Sequence, residues 1–195
     1  MADSIFVVTD IEADGLRPGE HSMISFASVA IAEATGEECG RFSATLRPLP
    51  ELTTEPATMA WWAENPEAWA TATHNPRDPA EVMADYVAWV RALPGQAVFV
   101  GQPTLFDGGW MAWYLWHFAQ LRLFHGPRPG RPLFEGGGVD LASLAMGATG
   151  RSYADSARAA WPDAWYGGHE HTHCALDDAL GYAAALRHLL AAARR

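Results

Sequence analysis

The chain opens on Ile5-Phe6-Val7-Val8-Thr9-Asp10, an apolar, β-branched run that ends in carboxylates and is followed by Gly15 and Pro18. A short apolar run bounded by turn residues predicts a buried strand. Met23 to Ala32 and Arg41 to Arg47 have strand-like composition as well, and Thr35-Gly36-Glu37-Glu38 between them reads as a hairpin turn. From Pro56 to Trp69 the character changes: Trp61, Trp62 and Trp69 fall in short helical pieces broken by Asn65-Pro66, which suits a lid or wall better than a central strand. Pro79 to Leu93 carries apolar residues at helical spacing, with Asp78 at the N-cap position and Pro94-Gly95 as a stop. Ala97 to Gly101 is a second apolar strand, and Phe106 to Leu121 reads as a helix. His125 to Pro132 holds three Pro and two Gly and predicts a surface linker. Asp140 to Ala148 and Tyr153 to Ala160 predict short helices, and Cys174 to Arg194 a long Ala/Leu-rich closing helix.

Three antiparallel-type strands, then strands alternating with helices, specify an α/β domain with a mixed sheet. At 195 residues the expectation is one domain over residues 1–195.

Charge narrows the chemistry. Against 23 acids stand 13 basic residues, all of them Arg, for a net charge of -10. The absence of Lys excludes a Schiff-base lysine, a phosphate loop ending in Gly-Lys-Ser/Thr and a polylysine membrane patch. The acidic balance disfavours non-specific coating of nucleic acid, which cations drive, but leaves room for an enzyme that meets phosphate through metal ions. The positive stretch runs from Tyr86 to Phe134, where four arginines face one acid, Asp107. Arg122, Arg128 and Arg131 in that stretch are therefore expected near the path of a substrate backbone. The two cysteines, Cys39 and Cys174, lie far apart, and no secretory leader or membrane-length apolar run is recognisable, so a reduced, cytoplasmic setting with no membrane partner is expected.

Three separated segments hold carboxylates in unusual settings. In Thr9-Asp10-Ile11-Glu12, alternation along an extended chain puts Asp10 and Glu12 on one face, where two like charges repel unless a cation lies between them. Solvated acids at a strand end are the ordinary alternative. Asp107 follows the apolar strand and begins an aromatic helix; an N-terminal acid that merely meets the helix dipole is the alternative there. In His173-Cys174-Ala175-Leu176-Asp177-Asp178-Ala179 a His precedes Asp178 by five residues at the start of the last helix. The alternating His169, His171, His173 and Cys174 also suit a zinc site, although no CxxC accompanies them.

Together, and in this order, these segments resemble the DEDDh branch of the DnaQ-like 3'-5' exonuclease superfamily. The strand motif Asp-x-Glu is matched by Asp10-Ile11-Glu12, followed by Ala13-Asp14-Gly15-Leu16. The second motif, commonly Gly-His-Asn-x-x-Phe-Asp, keeps Gly101, Phe106 and Asp107 but has Gln102-Pro103 in place of His-Asn. The third, His-x-Ala-x-x-Asp-Ala, is met by His173, Ala175, Asp178 and Ala179. Thr58-Met59-Ala60-Trp61-Trp62 is weakly similar to a Thr-x-x-Trp-Trp of some phage and bacterial members.

The resemblance implies an RNase H-like mixed five-stranded sheet flanked by helices. It implies two Mg2+ (or Mn2+) ions held by Asp10, Glu12, Asp107 and Asp178, with Asp10 bridging both. His173 would be the general base, and single-stranded RNA or DNA would be hydrolysed from the 3' end to nucleoside 5'-monophosphates. Ala13, Gly15, Leu16 and Phe106 would meet the terminal nucleotide, with Trp61 and Trp62 as wall residues or core. Small stand-alone members include RNA trimmers such as oligoribonuclease and RNase T beside DNA exonucleases; the reading leans to RNA, and to a homodimer. Alternatives left open are another two-metal phosphodiesterase, a silent nucleic-acid-binding or proofreading-accessory domain, and a zinc-binding interaction module.

Overall fold

The structure, a computed structural model, describes residues 3–126 and 132–194. Strand β1 (Ser4–Ala13) is the axis of a sheet whose order is β3-β2-β1-β4-β5, with β2 at Met23–Ala32, β3 at Glu38–Thr45, β4 at Gln96–Gly101 and β5 at Val139–Asp140. β1 pairs antiparallel with β2 and parallel with β4; β2 pairs antiparallel with β3, and β4 parallel with β5. The five-stranded mixed α/β architecture expected above is thus present.

Helices cover both faces: α1 (Pro56–Glu64), α2 (Pro66–Ala72), α3 (Pro79–Arg91), α4 (Thr104–Ala119), α5 (Leu141–Thr149) and α6 (Ala175–Ala193). Strand parity sorts the core into two layers. Ile5, Val7 and Ile11 of β1 pack with α3 and α4 residues such as Val82, Tyr86, Trp110 and Tyr114, while Phe6 and Val8 pack with Leu141, Ala179, Tyr182 and Leu186 of α5 and α6. Continuing the second parity brings Asp10 and Glu12 onto the α6 side.

Several boundaries differ from the sequence reading. β1 runs on through Glu12 to Ala13, so its acids stand within the strand and not after it, because β2 stays paired as far as Met23. β3 starts at Glu38 and ends at Thr45, α4 begins two residues before Phe106 at Thr104, and Asp140 is the cap of α5, its carboxylate accepting from Ser143 N–H at 2.9 Å. Tyr153 to Ala160 is not a helix but two 3-10 turns, Ala154–Ser156 and Arg158–Ala160, followed by a third at Asp163–Tyr166. Indoles interrupt the helical period there: Trp161 and Trp165 are buried against α6, and Trp161 Nε1 donates to Ser156 O at 2.7 Å. Cys39 and Cys174 are both free thiols, and none of the described helices is long and apolar enough to cross a membrane.

Candidate active site

β4 stops at Gly101 while its neighbour β1 continues, which leaves the β1 edge beyond Asp10 without a strand partner on that side. Asp107, in the first turn of α4, fills the gap: its carboxylate accepts backbone N–H groups from Gln102, at 2.9 Å, and from Ile11. The turn between β4 and α4 is tight enough that a Cβ on Gly101 would lie 3.0 Å from both Asp107 Oδ2 and Thr104 Cα. A side chain at Gly101 would therefore press on the acid and on the start of α4.

Asp178 enters from the other layer, in the first turn of α6. Its Oδ1 accepts Thr172 N–H at 3.0 Å, and it is 3% exposed, whereas Asp177 points outward and accepts from Thr172 Oγ1 at 2.9 Å. Asp10, Glu12 and Asp178 each bring an oxygen to within 4.8 Å of one another. Asp10, Asp107 and Asp178 are buried and Glu12 is nearly so.

So many carboxylates cannot all stay ionised in a buried site without a counter-charge. Burial and then the charges of Asp107, Glu12 and Asp178 raise Asp10 well above the ordinary range. Burial with Asp178 and Asp107 pushes Glu12 up to about 9, and burial pushes Asp107 to about 7 against the hydrogen bonds from Gln102 and Ile11. Asp178 Oδ2 is buried 2.8 Å from His171 Nδ1 but in no hydrogen-bond geometry with it. All-oxygen donors, raised proton affinities and a carboxylate oxygen left without a hydrogen bond together fit divalent cations of the Mg2+ or Mn2+ class.

His173 stands beside the acids with a left-handed backbone, φ 57°, its ring edge-on to Trp61 at 4.7 Å and to His171 at 4.4 Å. Burial, His171 and Arg158 lower its pKa, with Asp178 opposing. Arg158 carries no local sequence signal that marks it as functional. It sits on the second 3-10 turn, its charge reaches both Asp10 and His173, and with Tyr166, His169, Glu170 and His171 it lines a polar cleft of about 470 Å³. On the opposite flank, buried Ser25 pairs across the ladder with Glu12; its Oγ has no partner, and it lines a more apolar groove of about 360 Å³ with Phe26, Cys174 and Leu176.

The remaining sequence candidates divide. Leu16 and Phe106 are 60% and 37% exposed, and Leu105 beside Phe106 is 90% exposed. Gly15 is in place for packing, since a Cβ there would come within 2.3 Å of the His21 ring. Trp61 faces His173, but Trp62 is core: it is 2% exposed and its Nε1 donates to Ala13 O at 2.9 Å. Ala13 is itself buried, so it presents no side chain to a substrate. Asp14 is also buried and accepts Ser22 N–H at 2.6 Å, tying the loop after β1 to the start of β2. Gln102 turns away from a substrate role as well, because its Oε1 accepts Ala142 N–H at 3.0 Å and caps α5.

Arg122 is not near the acids. It follows α4, a 16-residue helix about 24 Å long that carries the chain to the far end of the sheet, where Glu135 N–H donates to Ala97 O at 2.8 Å. Arg128 and Arg131 lie outside the described residues.

No protein-family model matches the sequence, and no curated protein matches it. Solved structures do match. The nuclease domain of 3'hExo, a DEDDh family member bound to rAMP, superposes at TM-score 0.64 with 13% identity, covering 96% of this chain and 92% of that one. A 3'-exonuclease in a complex described as 3'-end-specific recognition of a histone mRNA stem-loop gives 0.63 at 12% identity, covering 96% of this chain and 81% of that one. The E. coli ExoI-ssDNA complex in its zinc-bound form gives 0.63 at 15%, with all of this chain matching 41% of that one. The fold is therefore the RNase H-like fold of the DEDDh 3'-5' exonucleases.

Proposed function

We propose that the chain is a DEDDh-type 3'-5' exonuclease that removes nucleoside 5'-monophosphates from the 3' ends of single-stranded nucleic acid. The observation that supports this is the convergence of Asp10 and Glu12 of β1 with Asp178 of α6, with the buried Asp107 of α4 close enough to raise the proton affinity of Asp10. Their arrangement on the fold shared with 3'hExo and ExoI supports the same reading.

Two divalent ions of the Mg2+ class, when held by Asp10, Glu12, Asp107 and Asp178, would acidify a water and neutralise charge on the leaving 3'-oxygen. His173 is the group that takes the water's proton. Its depressed pKa leaves the ring neutral, and therefore able to accept, at neutral pH. Trp61 holds that ring from one side. Leu16 and Phe106 offer exposed apolar faces to the terminal base, a contact that reads no sequence. Arg158, beside the acids, supplies the positive charge that a phosphate needs in a chain of net charge -10. RNA is the favoured polymer in this reading, because the chain spans 92% of an rAMP-bound nuclease domain and 41% of the DNA-bound ExoI chain.

Matched single-stranded RNA and DNA, each labelled at the 5' end, test the proposal with Mg2+ present. Stepwise shortening from the 3' end, faster on RNA and abolished in Asp10→Ala and His173→Ala, is expected. Unchanged degradation in both variants would remove it.

A further inference from the structure

The alternating His169, His171, His173 and Cys174 are sorted by the fold. Cys174 faces the apolar groove on one flank and His169 the polar cleft on the other. His171 and His173 instead converge on Asp178, and each of the three brings a donor atom to within 4.8 Å of the others. The rings of the two histidines are 4.4 Å apart at 70°, so both can direct a nitrogen to one point.

A second observation concerns Asp178. Its residue is 3% exposed, and its Oδ2 lies 2.8 Å from His171 Nδ1 yet has no partner in hydrogen-bond geometry. A nitrogen and a carboxylate oxygen at that separation, not joined in hydrogen-bond geometry, match two ligands of one ion. Donors about 2.0–2.2 Å from Zn2+ stand about 3 Å apart. Two imidazoles and one carboxylate are also the donor types that zinc prefers, whereas Mg2+ selects oxygen.

We propose that His171, His173 and Asp178 bind a single transition-metal ion of the Zn2+ class, and that this ion turns the proposed exonuclease off. Asp178 belongs both to this triad and to the triad of Asp10, Glu12 and Asp178, so one carboxylate serves two competing sites. A His173 nitrogen engaged by zinc has no lone pair left for a proton. The inhibitory part rests on the exonuclease reading; the metal site does not.

Chelator-stripped full-length protein is titrated with zinc chloride by calorimetry, and with Co2+ to read the d–d bands of nitrogen-ligated metal. One tight Zn2+ per chain is expected. Its affinity should fall at least about 10-fold in both His171→Ala and His171→Asn, with loss of the Co2+ bands and an unchanged far-ultraviolet circular dichroism spectrum. His169→Ala and Cys174→Ala should bind as the parent does. Unaltered binding in the His171 variants, or loss in His169→Ala or Cys174→Ala, overturns the site. Zinc binding without any Mg2+-supported nucleotide release would uphold the site and remove the exonuclease reading. Nucleotide release that zinc fails to suppress would overturn the inhibition.

Discussion

Asp107 accepts the backbone N–H of Ile11, the residue that separates Asp10 from Glu12, so the second acidic segment is bonded directly to the middle of the first. Asp107 thereby both completes the cluster and closes the open edge of β1. Asp107→Asn keeps an acceptor for Ile11 and Gln102 but removes the charge. Activity should fall about 100-fold or more while the melting temperature holds. Asp107→Ala should lose activity equally and also stability, about 1–3 kcal/mol for each buried N–H left unpaired. Parallel melting and activity curves for the two variants check this.

The acids also set how stability depends on pH. Glu12 rises from its ordinary 4.5 to about 9 in the fold, and Asp107 from 3.8 to about 7. Each therefore keeps its proton in the folded chain at pH values where the unfolded chain has released it. The folded state binds more protons, so these groups destabilise the metal-free protein progressively as pH rises through the interval between the two values. Melting temperatures of chelated protein should fall between pH 5 and pH 8, and Mg2+ should restore more at pH 8 than at pH 5. Asp10→Asn should raise the chelated protein's melting temperature at pH 8 by about 2–4 °C per kcal/mol of repulsion relieved. A flat pH response would contradict the picture.

At Gly101 a methyl group would meet Asp107 Oδ2 and the Thr104 backbone at 3.0 Å. Gly101→Ala should destabilise the protein by about 1–3 kcal/mol through overpacking and lower kcat by shifting Asp107. A rise in KM alone, with kcat intact, would place the strain elsewhere.

The adjacent indoles should separate cleanly. Trp62→Ala removes a buried ring and its bond to Ala13 and should cost about 3–5 kcal/mol. Trp61→Ala frees the His173 ring and should reduce kcat with a smaller change in stability. Arg158→Ala should weaken substrate binding and flatten its salt dependence.

Much of this was legible in the chain. The period of two in β1 places Asp10 and Glu12 on one face, and the five-residue step from His173 to Asp178 puts the acid one helical turn inside α6. What local pattern could not show depends on contacts distant in sequence. β5 is two residues long and has no periodicity of its own to detect. Arg158 reaches the acids from a Trp-rich segment packed on α6, and His171 meets Asp178 from the loop that precedes that helix. Arg122 looked relevant from the charge count, yet the length of α4 carries it away from the site.

Exonuclease action is tested by offering the purified protein a 5'-labelled linear single strand and a covalently closed circle of the same sequence, with Mg2+ and then with chelator. A ladder shortened from the 3' end, release of nucleoside 5'-monophosphates, an untouched circle, and no reaction in chelator or with Asp10→Ala are expected. Cleavage of the circle, or release that persists in Asp10→Ala, would contradict the exonuclease reading.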